Sequence, residues 1–188
     1  PSIDGGNRPA KSVVGEEFVI TAQVFREGHD AVNASVVLTD PDGVEHRSAM
    51  NPVNPGLSLW DITVSADRPG WWSYHVEGWS DPWATWVHDG TIKVEAGIDS
   101  ELMLEEGARV IERALTVLPD VAPAEAAQTL RDAVTALRDT DRPALARLHA
   151  ALAPEVDAVF TAYPFREKVS PSPRHLWLVE RELALCGA

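Results

Sequence analysis

The chain has a single cysteine, Cys186, among 188 residues, so no disulfide and no multi-thiolate zinc site can form within it. A reducing compartment fits that best. Positive charge is scarce too: 16 Lys and Arg stand against 29 Asp and Glu, a formal net charge of −13. Such a balance repels phosphate backbones and anionic lipid surfaces, which excludes nucleic acid and membranes as partners. No apolar run approaches the roughly 20 residues that cross a bilayer, and the N-terminal stretch Pro1 to Gly15 lacks a basic segment followed by an apolar one. The expectation is a cytoplasmic protein. A phosphate-binding loop, a dinucleotide fingerprint, a nucleophile elbow and a His-Glu-x-x-His pair are also missing. The sequence therefore presents no catalytic residue, no metal-ligand set and no cofactor site, and reads as an accessory module rather than an enzyme.

What is present is a folded chain, with 45% hydrophobic residues arranged in two different periods. From Lys11 to Val94 the apolar residues mostly alternate, interrupted by turn residues every ten or so positions, as in an all-β sandwich. Phe18, Ile20, Ala22 and Val24 share one face of a strand; Val36 and Leu38 continue in a second that ends at Asp40-Pro41-Asp42-Gly43. Val44 to Met50 reads as an edge strand. Trp60, Ile62 and Val64 alternate, Arg68-Pro69-Gly70 turns the chain, and Trp72, Tyr74 and Val76 alternate back, which predicts a hairpin. Ser80 to Asp89 reads as a long loop, and Gly90 to Val94 as a closing strand.

At Gly97 the period changes to about 3.6. Asp99 or Ser100 can cap a helix with a broad apolar face from Met103 to Leu118, expected to be wider than its neighbours' Ala-rich faces can cover. Pro123, Pro143 and Pro154 mark the starts of further helices, and short connections favour an antiparallel bundle of about four. Leu176 to Val179 and Leu183 to Cys186 then read as strands. Strands so late in the chain would leave open edges unless they joined the earlier sheet. The expected organisation is a β-sandwich over 1–97, a helical-bundle insertion over 98–168 and return strands over 169–188, with both chain ends loop-like or apolar, as if cut from a longer protein.

Two side-chain groups invite a chemical reading. His29-Asp30 and His88-Asp89 pair imidazole with carboxylate, but adjacent side chains diverge, which favours a domain-contact role over metal binding or acid/base work. Trp71, Trp72, Trp79, Trp83 and Trp86 crowd a short stretch and could stack on sugars. Trp72 alternates with Tyr74 and Val76 and belongs in a core, with Trp71 and Trp79 on the opposite face, so packing is favoured over α-glucan contact. Glu16-Glu17 and Glu105-Glu106 are near neighbours and read as solvated surface, not as the separated carboxylate pair that glycosidase chemistry needs.

Several blocks occur in a shared order: Pro9-Ala10-Lys11 with Val13-Val14-Gly15-Glu16; Phe25-Arg26-Glu27-Gly28-His29-Asp30; Asp81-Pro82-Trp83-Ala84-Thr85-Trp86-Val87-His88-Asp89; Ala96-Gly97-Ile98-Asp99; and Tyr163-Pro164-Phe165-Arg166-Glu167-Lys168. Together they resemble the N-terminal region of the α-1,4-glucan:maltose-1-phosphate maltosyltransferases, over essentially the whole chain. The chain departs from that pattern at Leu185-Cys186, where the family tends to have Arg-Phe. The resemblance implies an immunoglobulin-like sandwich with a helical-bundle insertion, preceding a (β/α)₈ barrel that transfers maltosyl units with retention and releases phosphate. The barrel's carboxylates have no counterparts here. It further implies the parent's catalytic barrel as a partner and a homodimer in the parent. Arg26, His29, Asp30, Asp81, Trp83, Trp86, His88 and Asp89 are the residues expected at domain or dimer contacts.

Overall fold

The computed structural model describes residues 8–120 and 122–181, which form five helices and two sheets divided between two units. The first unit contains residues 8–28, 32–79 and 168–181. Its larger sheet has the order β1-β9-β7-β3-β4, built from β1 (Ala10–Val13), β3 (Val32–Thr39), β4 (Glu45–Ala49), β7 (Gly70–Ser80) and β9 (His175–Glu180), with β8 (Glu167–Pro171) also pairing with β7. The smaller sheet has the order β2-β6-β5, from β2 (Phe18–Gln23), β5 (Asn51–Asn54) and β6 (Leu59–Val64).

Burial follows the strand period. The exceptions are β3, where four consecutive residues, Ala34 to Val37, are buried because both faces of the strand are covered, and β4, which is exposed throughout and forms an edge. Ile20, Trp60, Val64, Val36, Trp72, Tyr74, Val76, Trp177 and Val179 share one core. Trp177 is wholly buried there. Phe18 meets its ring edge-on at 4.8 Å, Trp72 lies at 5.6 Å, and its indole N–H donates to Ser12 Oγ at 2.8 Å.

The strands expected to form a hairpin across Arg68-Pro69-Gly70 do not pair with each other. β6 lies in the smaller sheet and β7 in the larger, so this turn is an arch between sheets. Alternation and turn chemistry are the same for both geometries; what differs is that Trp60 and Trp72 line the same core from opposite walls. The arch is tied to the Asp40-Pro41-Asp42-Gly43 turn. Asp40, 4% exposed, accepts hydrogen bonds from the Asp42 and Val44 N–H groups, both at 2.9 Å, and pairs with Arg68, whose carbonyl accepts from the Trp72 indole at 3.0 Å.

Burial opposes ionisation of Asp40, but the Val44 N–H, His46, the Asp42 N–H and the Arg68 charge outweigh it and lower the carboxyl from 3.8 to about 2. Glu105 falls from 4.5 to about 2 through hydrogen bonds from Arg138 and Arg109. Both groups are more acidic folded than unfolded. Their contribution is therefore complete above about pH 4.5 and is lost as the pH falls toward 2. Glu105 is half-exposed and screened, so Asp40 should dominate. We expect the melting temperature to drop steeply between pH 4.5 and 2 and the drop to flatten in Asp40→Asn; an acid limb of unchanged steepness in that variant would refute the assignment.

The second unit contains residues 29–31 and 80–167, without Val121. Its helices are α1 (Pro82–Glu95), α2 (Ser100–Val117), α3 (Ala124–Arg138), α4 (Ala144–Ala151) and α5 (Pro154–Ala162). The last four match the expected proline-punctuated series. The first replaces the expected loop and closing strand over Ser80 to Val94, so the helical part starts well before Gly97. Trp83, Trp86, Gly90 and Val94 fall at helical spacing and are buried; β-branched Thr91 and Val94 lend the segment a misleading strand propensity.

The broad face of α2 is largely covered, contrary to expectation: Met103, Leu104, Gly107, Ala108, Val110, Ile111 and Ala114 are all buried. Arg147, 4% exposed, donates to the Leu137 carbonyl at 2.9 Å, which satisfies one of the carbonyls that a helix C-terminus leaves open, and also binds Glu101. The strand expected over Leu183 to Cys186 lies outside the described residues.

Candidate functional site

One of the blocks quoted above, Asp81 to Asp89, opens α1. Asp81 is the helix N-cap, its carboxylate accepting from the Ala84 N–H at 2.9 Å, and Pro82 occupies the first turn, where its missing N–H costs nothing. The loop His29–Ala31 docks here: the Asp81 N–H donates to the Ala31 carbonyl at 2.9 Å and the Ala31 N–H donates to Thr85 Oγ1 at 2.9 Å. Thr85 Oγ1 in turn donates to the Asp81 carbonyl at 2.8 Å. Ala31, just past the Phe25–Asp30 block, is thereby tied to the Asp81–Asp89 block some fifty residues on by two hydrogen bonds, and the third holds Thr85 in place for them.

One turn on, Trp83 and Trp86 enter the helical core. Trp83 stacks on Phe160 at 4.2 Å and 10°, and the Trp86 indole N–H donates to the Met103 carbonyl at 2.7 Å. The indole of Trp86 lies against two glycines, Gly90 of its own helix and Gly107 of α2, where any Cβ would crowd it. At the other end of α1, the Gly97 N–H reaches the Val94 carbonyl and the Ile98 N–H reaches the Lys93 carbonyl, with Gly97 at φ 68°. That pair of bonds needs a left-handed residue, which explains glycine in the Ala96-Gly97-Ile98-Asp99 block. Phe165, from the last block, is buried beneath the Arg113 guanidinium, 5.6 Å from its ring centre, and Arg113 also pairs with Glu167 at 3.3 Å.

Of the residues expected at contacts, Asp81, Trp83 and Trp86 are thus engaged inside the helical unit. Arg26, His29, Asp30, His88 and Asp89 are exposed. Trp72 and Trp79 are buried, Trp79 donating to Ser35 Oγ at 3.2 Å, and Trp71 alone of the five clustered tryptophans is exposed. Among the described residues no group of three His, Cys, Asp or Glu side chains is placed to hold a metal ion, and no helix is long and apolar enough to cross a membrane. Sequence reasoning missed the Asp40–Arg68 tie and the Arg147 contact with Leu137. The Asp-Pro-Asp-Gly turn was visible, but its partner 28 residues away carried no signal.

The family model described as α-1,4-glucan:maltose-1-phosphate maltosyltransferase, domain N/S, matches residues 1–181. α-1,4-Glucan:maltose-1-phosphate maltosyltransferase 1 of Streptomyces coelicolor is 51% identical over all of this chain, and isoform 2 of the same organism is 49% identical, each with 28% of its own length covered. The maltosyltransferase of Arcanobacterium haemolyticum is 40% identical over all of this chain and 27% of its own. The chain therefore spans under a third of the length of these relatives.

Proposed function

We propose, given that this chain belongs to the N/S-domain family of the α-1,4-glucan:maltose-1-phosphate maltosyltransferases and corresponds to their N-terminal region, that it is a non-catalytic accessory and dimerisation region. The longer protein would transfer maltosyl units from α-maltose 1-phosphate to α-1,4-glucans, with retention and release of phosphate. The observation that carries this reading is the employment of the resemblance-bearing blocks: Asp81 caps, Thr85 ties, Trp83 and Trp86 fill a core, Gly97 ends a helix and Phe165 lies beneath Arg113. Side chains so engaged hold a scaffold together and are not available to touch a substrate.

We read the first unit as an immunoglobulin-like sandwich, supported by a first strand that runs parallel to the last and by the β6-to-β7 arch between sheets. We read the helices as a bundle inserted between β7 and β8, with α1 as its first member. The exposed contact candidates, Arg26, His29, Asp30, His88 and Asp89, together with half-buried Asp81 and buried Trp83 and Trp86, remain our proposal for domain or dimer contacts. A cytoplasmic location goes with the reading.

The test is incubation of the 188-residue chain with α-maltose 1-phosphate and a malto-oligosaccharide. No phosphate should appear above the blank, and release that survives repurification would overturn the reading. The dimerisation part is checked on the same sample by sedimentation velocity, where weak self-association should strengthen as salt screens the charge of −13. A concentration-independent monomer at low and moderate salt would remove it. A carbohydrate-binding module is the second reading, favoured by Trp71 alone; affinity electrophoresis in glycogen separates the two.

A further inference from the structure

Register fixes which side chains of the larger sheet point away from the core. Trp177 and Val179 of β9 are buried in it, so Leu176 and Leu178 face outward. Antiparallel pairing sets Trp71 opposite Leu178 and Ser73 opposite Leu176, and directly opposed residues share a face. On the other flank β1 runs parallel and places Lys11 opposite Leu178. The outward face of β9 and the end of β7 therefore present Trp71, Leu178 and Leu176 as a continuous diagonal. Trp71 and Leu176 are each 55% exposed.

Elsewhere in this unit the exposed large apolar residues, such as Phe25, Val44 and Leu57, stand singly at turns and strand ends, which is ordinary for a protein surface. In the helical unit Ile98 and Leu102 are exposed among Asp99, Glu101 and Glu106, a strongly acidic setting. A contiguous indole and leucine stripe on adjacent strands is different, and marks a surface that is covered in the working protein.

We propose that this stripe of Trp71, Leu176 and Leu178 is the seat on which the remainder of the maltosyltransferase chain docks. The inference rests on the accessory-region reading above. Relatives carry more than two thirds of their length outside the part matched here, so a large occupant exists in the same chain. This chain corresponds to their N-terminal region, and β9 is its last described strand, so the docking surface lies on the strand nearest that remainder in sequence. A short connection gives such a partner a high effective concentration at a nearby surface. Two other occupants fit less well. A second copy gains no effective concentration from a short connection, and a glucan needs polar groups that converge around the ring, whereas the residue directly opposite Trp71 is Leu178, with Leu176 and Glu180 two residues to either side of it on β9.

Hydroxyl-radical footprinting read by mass spectrometry tests this on the 188-residue chain and on the chain continued to the full length of its relatives. Oxidation at Trp71 and Leu176 should be fast in the shorter chain and slower by about fivefold or more in the longer, as in the water-excluded core of an interface, at every protein concentration. Equal rates in the two would overturn the proposal. So would protection that grows with protein concentration, which indicates a second copy, or protection that appears only on adding maltoheptaose, which indicates a glucan. Equal rates with no phosphate release by the shorter chain would remove this seat and leave the accessory reading standing. Phosphate release by the shorter chain would remove that reading whatever the footprint.

Discussion

Replacing Gly107 by alanine should destabilise the helical unit by about 3 kcal/mol, although the same change in an open helix stabilises by about 1 kcal/mol. Gly107 lies within α2, and a Cβ built there falls well inside contact distance of the Trp86 ring carbons and 2.8 Å from its Nε1. The indole has nowhere to retreat, since Gly90 sits against it within α1. Displacing it also breaks its 2.7 Å bond to the Met103 carbonyl, and a buried carbonyl left without a donor costs about 1–3 kcal/mol. Urea unfolding followed at 222 nm measures the loss. The sign should reverse in a Trp86→Leu background, where the ring is gone and only helix propensity is left. If Gly107→Ala were stabilising with Trp86 in place, the slot would not be tight.

A larger loss is expected from Trp177→Ala in the first unit, about 4 kcal/mol, near the upper end for a buried aromatic. The side chain is fully buried, and its removal deprives Phe18 and Trp72 of their common partner and Ser12 Oγ of its donor. Domains of this size have about 5–15 kcal/mol of total stability, so the variant should be largely unfolded at moderate temperature. Trp177→Phe keeps most of the packing and loses only the N–H, so it should cost about half as much. Denaturant midpoints of the three proteins decide the matter; an alanine variant within about 1 kcal/mol of the parent would show that β9 is not structurally essential.

The parts of this fold legible in the sequence were those set by local pattern. Proline at positions 123, 143 and 154 and the 3.6 spacing located α3, α4 and α5, and alternation located β2, β3, β6 and β7. Two features were not legible because their cause is non-local. The arch at Arg68-Pro69-Gly70 differs from a hairpin only in where the strand after it finds partners, and β7 finds them in β3 and in β9, about a hundred residues further on. Helix α1 carried both a cap signal, Asp81-Pro82, and a strand-like composition; docking of Ala31 onto Thr85 and burial of Trp83 and Trp86 favour the helix. For the site, the sequence blocks singled out Asp81, Thr85, Trp83, Trp86, Gly97 and Phe165 without saying what each does. Their detailed duties, capping, tying and packing, emerged only from the geometry.

The place of β9 between β1 and β7 has a consequence for the order of assembly during synthesis. Every residue of the helical unit has been made once Glu167 emerges, whereas the larger sheet lacks the strand that joins β1 to β7 until Glu180 does. Until then β1 has no partner in that sheet, and Trp72 and Phe18 have no Trp177 to pack against. A nascent chain therefore carries a complete set of helices while the sheet still has an open seam, and His175 to Glu180 close it.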